Sequence, residues 1–331
     1  MCDRAAEACG EQSSPRARVE HAGRMVERPG ADPLPRGAAI RTSASAVFDT
    51  TRARLRARRV QHPFTGVSSL GLDLDSIVDA CRAYEPLLRP GEAFSQATAA
   101  LLYGAPLPPG HRSGLPLHVL SPDVTRPRSA GTVGHRSQRM APIELRFGLP
   151  AVAPATTWMH LAAVLRREDL TAVGDFLVTG VRHGRGREGP LVRVEDLALV
   201  LDGNAGCRGA RGARWALEHI RIGPASRTET LLRLLIVDAG LPEPEIGPEV
   251  PVAGGSLVLH PDLAYPDLRI AIEYEGDGHR DAGRWERDIE RCELFEDAGW
   301  RVIRVTRHAL FDEPDLLIAR IRRARHGRSN G

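Results

Sequence analysis

The pattern of apolar and polar positions predicts an α/β unit in the last third of the chain. Leucines recur at helical spacing over 226–239, and Gly240 follows as a helix end. Strand-like runs follow at 256–263 and 268–275, then an amphipathic helix over 284–298, a strand over 301–306 and a helix over 315–325. This order of elements predicts a mixed central sheet flanked by helices.

The region before this unit is less regular, and its pattern predicts a smaller α+β domain over 46–223. Helical spacing occurs at 75–84, 95–103, 156–167, 169–178, 194–201 and 212–222, and strand-like runs occur at 117–120 and 143–147. Gly223 and Pro224 mark the boundary before the last domain, which spans 224–331. Residues 1–45 contain too few large apolar side chains to offset chain entropy, so we predict a disordered N-terminal segment there.

Composition limits the environment of the protein more than its function. The chain has 331 residues and a formal net charge of +3, which permits nucleic-acid binding without arguing for it. Five scattered cysteines without a Cys-x-x-Cys pair argue against a zinc ribbon or a disulfide framework. No stretch approaches the ~18 apolar residues of a membrane span, and the N-terminus lacks the apolar core of a signal peptide. We therefore expect a soluble cytoplasmic protein that does not contact membranes.

All 45 basic side chains are arginines, because the sequence contains no lysine. Arginines alternate with other residues over 51–59, where they would suit a phosphate-binding arm. The interpretation that we prefer for this run is a solvated, poorly ordered segment.

The chemically informative residues are carboxylates around a predicted turn at 265–268. If that turn is two residues long, Asp262 lies opposite Glu273 on the neighbouring strand, and Glu275 shares their face. Opposed like charges destabilise a sheet unless something neutralises them, and a hard cation such as Mg²⁺ prefers oxygen ligands. The alternative is an exposed strand face that carries carboxylates without any ion.

Two further residues are candidates for the same chemistry. His279 follows the Gly276-Asp-Gly278 loop, from which it could serve as a base beside a bound metal, although a lone surface histidine is usually just solvated. Glu229 completes the pattern Ser226-Arg-Thr-Glu229, which is typical of a helix capping box. By this pattern alone, the capping role is the better prediction for Glu229.

The segment from Ser226 to about Arg325 resembles the very-short-patch-repair-like endonuclease domain, a member of the restriction-endonuclease-like superfamily that occurs in many actinobacterial proteins. The strings that carry the resemblance, in order, are Ser226-Arg-Thr-Glu-Thr-Leu-Leu-Arg-Leu-Leu235, Ala239-Gly-Leu-Pro-Glu-Pro244, Asp262-Leu-Ala-Tyr-Pro266, Ile272-Glu-Tyr-Glu-Gly276, His279, Arg287-Asp-Ile-Glu-Arg291, Leu294 and Ala298-Gly-Trp-Arg-Val-Ile-Arg-Val305. The middle region contains Phe94-Ser-Gln-Ala-Thr-Ala-Ala-Leu-Leu-Tyr-Gly104, Leu117-His-Val-Leu120 and Gly148-Leu-Pro-Ala-Val-Ala-Pro-Ala-Thr156. By these strings it more weakly resembles the domain that precedes this nuclease in abortive-infection type IV antitoxins.

The resemblance implies a role for each matched residue. Asp262 and Glu273 would be ligands of Mg²⁺ or Mn²⁺, and Glu229 would be the carboxylate from the first helix. His279 would be the catalytic histidine, and Asp288 with Arg291 would orient it or close the site. The superfamily's lysine would fall at Glu275, which leaves His279 or a second metal to activate water.

These observations predict a metal-dependent DNA endonuclease that hydrolyses phosphodiester bonds. Arg284, Arg287 and Arg291 of the long helix would position phosphates without reading sequence. The alternative is a non-catalytic, antitoxin-like DNA-binding regulator that keeps a nuclease fold as a scaffold. A nuclease that acts on RNA is a third possibility, which the sequence does not exclude.

Overall fold

The structure is a computed structural model that describes residues 34–329, apart from 112–113, 123–126, 128, 138–140, 181, 184–185, 188 and 277–281. For 182–183, 186–187, 282–288 and 329 it describes the backbone only. It is a mixed α/β structure with several separate sheets. Within this described part of the chain, no helix combines the length and apolarity needed to cross a membrane.

The first described element is a strand inside the segment for which the sequence predicts disorder. Strand β1 (Ala38–Arg41) pairs antiparallel with β2 (Val67–Leu70), and Ile40 is buried in a small core with Leu34 and Leu55. The predicted disorder therefore does not extend to residue 45, because Ile40 has a partner strand about 30 residues away that local composition does not reveal. Residues 1–33 lie outside the described residues.

The arginine-rich run over 51–59 is folded rather than poorly ordered. Its Leu55 is only 1% exposed and sits in a short 3-10 turn, Arg54–Arg56. Arg52, Arg56, Arg58 and Arg59 are exposed, as the solvated interpretation predicts. One buried leucine thus anchors a run whose charges remain in water.

The middle region contains one five-stranded sheet and a group of helices. Its elements are α1 (Ile77–Tyr84), β3 (Ala93–Phe94), α2 (Gln96–Tyr103), β4 (Leu117–Ser121), β5 (Thr132–Arg136), β6 (Ile143–Arg146), β7 (Leu149–Val152), α3 (Pro154–Leu161), α4 (Arg167–Thr179), β8 (Arg182–His183), β9 (Gly186–Arg187), α5 (Val194–Asp202) and α6 (Ala210–His219). The sheet order is β5-β4-β3-β7-β6, with α1 and α2 packed on one face, while α3 to α6 form a second core around Trp158. This region, 46–223, is longer than the C-terminal unit, 224–331, so it is not the smaller of the two.

The C-terminal unit has the predicted mixed sheet between helices. Its elements are α7 (Arg227–Asp238), β10 (Glu245–Ile246), β11 (Val250–Val252), β12 (Leu257–Leu259), β13 (Leu263–Tyr265), β14 (Ile270–Glu275), α8 (Ala282–Asp297), β15 (Arg301–Thr306), α9 (Arg307–Phe311) and α10 (Pro314–Ser329). The sheet order is β10-β13-β14-β15, in which β13 and β14 are antiparallel and β14 and β15 are parallel. Ile270 and Ile272 face α7 and α10, whereas Ala271 faces Phe295 of α8.

The predicted single strand over 256–263 is wrong. It consists of β12, which pairs with β11, and β13, which joins the main sheet. The chain leaves strand geometry at His260 and Pro261, and a proline cannot donate a ladder hydrogen bond.

A buried ion pair joins the middle region to the C-terminal unit. Arg233 of α7, which is 0% exposed, donates to Asp175 of α4 at 3.1 Å and to the His219 carbonyl at 2.7 Å. Thr230 also donates to Asp175, at 2.8 Å. Burial raises the pKa of Asp175 to about 6, against the opposing effects of Arg233 and of these hydrogen bonds. Helix α7 is therefore joined to α4 by buried polar contacts.

Candidate functional site

The two predicted metal ligands lie opposite each other at one end of the β13–β14 hairpin. The strands pair Leu263 with Ile272, and continuing this register by one residue places Asp262 opposite Glu273. The Asp262 carboxylate accepts a hydrogen bond from the Tyr274 backbone N–H at 2.7 Å, which directs it toward β14. The sequence-based placement of this pair is therefore confirmed.

The turn that connects the two strands differs from the prediction. It has four residues, 266–269, because Tyr265 pairs with Ile270. Pro266–Leu268 form a 3-10 turn, and Arg269 takes a left-handed conformation with φ of 49°. The predicted two-residue turn is wrong, but the register is the same, since the longer loop adds one residue on each side.

Three carboxylates from three different elements interact electrostatically at this point. Burial raises the pKa of Glu273 to about 7, and the nearby Asp262 and Glu229 raise it further, while Arg291 lowers it. Only 18% of the Glu273 side chain is exposed. Glu229, Asp262 and Glu273 are thus coupled electrostatically, and we call this group of three residues the carboxylate cluster.

Glu229 combines the capping role with membership of the cluster. Its backbone N–H donates to the Ser226 hydroxyl at 3.2 Å, and its own carboxylate accepts from the Ala225 N–H at 2.7 Å. These contacts satisfy donors at the start of α7, as a capping box does. The same side chain is 9% exposed and contributes to the raised pKa of Glu273. The predicted N-cap at Ser226 is confirmed, and the Glu229 carboxylate binds the N–H of Ala225, the residue before that N-cap; neither contact excludes a role in the site.

Glu275 is ion-paired with Arg304, a residue that the sequence analysis did not identify. Parallel pairing of β14 and β15 places Arg304 beside Glu273 and on the face that carries both glutamates. Cys292 of α8 lies near the same charges: burial raises its pKa, and Arg304, Glu273 and Glu275 act on it. The alternation of side chains over 301–306 would have identified Arg304 only if the pairing of β14 with β15 had been known.

Arg291 contacts the carboxylate cluster directly. It donates to Glu273 at 2.9 Å and to the His260 carbonyl, and its guanidinium lies over the Phe295 ring at 5.3 Å. Arg291, which we predict to contact phosphate, therefore forms an ion pair with Glu273, which we predict to bind the metal. Arg284, Arg287 and Asp288 lie in the part of α8 described as backbone only, and His279 lies outside the described residues.

The carboxylate cluster offers only oxygen donors, which suits Mg²⁺ or Mn²⁺. Burial is the main cause of the raised pKa of Glu273, Asp262 adds to it and Arg291 opposes both, so a bound cation would favour the charged form of this carboxylate. Among the residues that the structure describes, however, no three His, Cys, Asp or Glu side chains converge closely enough to hold a metal ion. The three carboxylates thus supply oxygen donors and negative charge of the kind that a divalent cation requires, without forming a convergent set of metal ligands among the described residues.

Comparison with known proteins places the chain in a family. It is 31% identical over 232 residues to the proteins named uncharacterized protein MT2308 and uncharacterized protein Rv2248, from two strains of Mycobacterium tuberculosis. The match covers 69% of this chain and 79% of each relative. The chain belongs to the same family as these mycobacterial proteins. No family model and no solved structure matches it.

Proposed function

We propose that the protein is a metal-dependent DNA endonuclease with a restriction-endonuclease-like C-terminal domain. The observation that carries the proposal is the placement of Asp262 opposite Glu273, where burial and the neighbouring carboxylates raise the pKa of Glu273. Such a cluster destabilises the fold unless something neutralises it, and clustered perturbed groups are typical of functional sites. The resemblance of the segment from Ser226 onward to very-short-patch-repair-like endonucleases supports the same conclusion.

In this proposal Asp262 and Glu273 hold Mg²⁺ or Mn²⁺, with Glu229 as the third carboxylate. When bound, the ion would polarise a phosphoryl oxygen and lower the pKa of a coordinated water. Asp262 is oriented for this role by the Tyr274 N–H, and Glu229 by the Ala225 N–H. His279 is the proposed proton acceptor, a role that rests on the resemblance alone.

Arg304 supplies a cation at the place where the superfamily has a lysine. Glu275 occupies the lysine position, and its carboxylate is paired with Arg304 from the neighbouring strand. An arginine does not give up its proton near neutral pH, so Arg304 would stabilise phosphoryl charge rather than act as a base. Arg304 is 47% exposed and Arg291 is 32% exposed, so both are open to a backbone phosphate at this edge.

A second candidate function is a non-catalytic, antitoxin-like DNA-binding regulator. Arg291 favours it, because its hydrogen bond to Glu273 already compensates part of the charge without a metal. In that case the C-terminal unit would be a scaffold, and only its arginines would contact phosphate.

The test is cleavage of supercoiled plasmid by the purified chain with Mg²⁺ or Mn²⁺, compared with EDTA, and a parallel assay on single-stranded RNA. Metal-dependent nicking of the plasmid is the expected result, and it should be lost in Glu273→Gln. Glu290→Gln, an exposed position on the same helix as Arg291, is the matched control and should cut normally. Binding of DNA without cleavage would favour the regulator, and cleavage of RNA alone would contradict the DNA substrate.

A further inference from the structure

Strand β6 forms an exposed apolar edge of the five-stranded sheet. It pairs with β7 on one side and is the last strand in the sheet order. Ile143, Leu145 and Phe147 are 42%, 74% and 54% exposed. Natural proteins usually protect such edges with charge, proline or a covering element, because an open edge accepts another strand.

The turn after β6 determines which backbone groups point outward. Phe147 and Gly148 have φ of 54° and 80°, as in a two-residue type I′ turn. The flanking pair, Arg146 and Leu149, therefore exchanges hydrogen bonds, and the next pair does not. That next residue, Leu145, lies opposite Pro150, which has no N–H to donate. The N–H and C=O of Leu145 consequently point away from β7, out of the sheet edge.

Charged and apolar side chains occupy opposite faces of this edge. Glu144 and Arg146 lie opposite Ala151 and Leu149, which belong to the core that contains α2, so both charged residues lie on the side of α2. Leu145 alternates with them and faces the other side. From Ile143 to Arg146, the side chains of the strand are in turn apolar, acidic, apolar and basic.

We propose that β6 pairs with β6 of a second copy of this chain, antiparallel and centred on Leu145. This register uses the outward backbone groups of Leu145 in both copies. It also places Glu144 opposite Arg146 of the second copy, twice by symmetry. A register centred one residue away in either direction would place Glu144 opposite Glu144 of the second copy, or Arg146 opposite Arg146 of the second copy. Like charges in these positions are unfavourable.

The occupant is a second copy because the strand is complementary to itself. Two opposite-charge pairs form in the centred register, while Leu145 packs against its own copy on the other face. Ile143 lies on the same face as Leu145, so the pairing reduces the exposure of both apolar side chains. The pairing involves only a short strand, so we expect a dimer that dissociates on dilution.

The test is sedimentation velocity of the full chain over about a hundredfold range of concentration, with circular dichroism to check folding. The wild type should dimerise, and Glu144→Arg or Arg146→Glu should each weaken the dimer by about tenfold or more. The double variant Glu144→Arg/Arg146→Glu should restore it, because the charges are exchanged. Glu195→Arg, an exposed position on α5, is the control and should dimerise like the wild type.

A further variant provides an independent test in case the charge variants do not fold. Leu145→Lys opposes two ammonium groups at the centre of the pairing, so it should also give monomers. A wild type that is monomeric at every concentration would overturn the proposal. A dimer that survives Glu144→Arg or Leu145→Lys unchanged would overturn it as well, since another surface would then form the contact.

Discussion

The Arg291 guanidinium donates a hydrogen bond to the Glu273 carboxylate at 2.9 Å. This contact connects α8 to the end of β14, and it is the main attractive interaction that opposes the raised pKa of Glu273. Because burial and two other carboxylates still outweigh it, Glu273 is held in an environment that favours its protonated form. The stability of the fold and the chemistry of the candidate site therefore depend on the same side chain.

Replacing Glu273 by glutamine should make the protein more stable above neutral pH. The ordinary pKa of a glutamate is 4.5, and that of Glu273 is raised to about 7, so between these values only the folded chain keeps the proton. The wild type should therefore lose stability as pH rises through this interval. Glu273→Gln should remove that loss, a gain of about 1–3 kcal/mol at about pH 8 in urea unfolding. Equal pH profiles for the variant and the wild type would show that Glu273 is not perturbed.

Mn²⁺ should raise the Tm of the wild type, and more at about pH 8 than at about pH 6. The proton on Glu273 competes with the cation at the lower pH, because a ligand carboxylate must be ionised. Asp262→Asn should abolish the shift, whereas Asp267→Asn, an exposed turn residue, should keep it. A shift that is independent of pH would point to a cation site elsewhere in the chain.

Removing Asp175 should strongly destabilise the protein. Asp175→Ala leaves the fully buried Arg233 with Glu243 as its remaining carboxylate partner in the described contacts. Breaking a buried pair from one side typically costs about 3–5 kcal/mol, because the other charge stays buried. Asp202→Ala, at the exposed end of α5, should change the urea midpoint little. A small effect of Asp175→Ala would mean that α4 and α7 are held together by apolar packing alone.

The N-terminal strand should contribute measurably to stability. Ile40 is 2% exposed, and Ile40→Ala should cost about 2–5 kcal/mol through lost burial and a residual cavity. Val47→Ala is the control, since Val47 is 82% exposed. Deletion of 1–45 should lower the Tm for the same reason, because it removes β1 from its pairing with β2. An unchanged Tm after that deletion would show that β1 does not pack on the protein in solution.

Sequence patterns predicted the elements that are long and periodic. The helices around Leu101 and Leu232 and the strand that contains Ile272 are predicted because their apolar spacing repeats over several positions. Strands β3, β5 and β7 were not predicted, since β3 has two residues, β5 contains a glycine and β7 a proline. Their pairing comes from tertiary contacts that a local pattern does not contain.

For the candidate site, the sequence predicted the contact between residues that are close in sequence. It did not predict the contacts between residues that are far apart in sequence. Asp262 and Glu273 are close in sequence, and strand parity was sufficient to oppose them. Arg304 reaches Glu275 through a parallel pairing with an intervening helix, and Asp175 reaches Arg233 between two regions of the chain. Charge and spacing alone do not select such partners, because many arginines in this sequence were equally available.

The most direct test of the account is the rate of plasmid cleavage by Asp262→Asn compared with Asp267→Asn. The two positions lie in the same hairpin, but only Asp262 belongs to the carboxylate cluster; Asp267 is an exposed residue of the turn. We expect Asp262→Asn to cleave at least about 100-fold more slowly than the wild type with Mg²⁺ or Mn²⁺, and Asp267→Asn to cleave normally. Equal rates for the two variants, or a wild type that does not cleave with either metal, would contradict the assignment of a metal-dependent nuclease to this site.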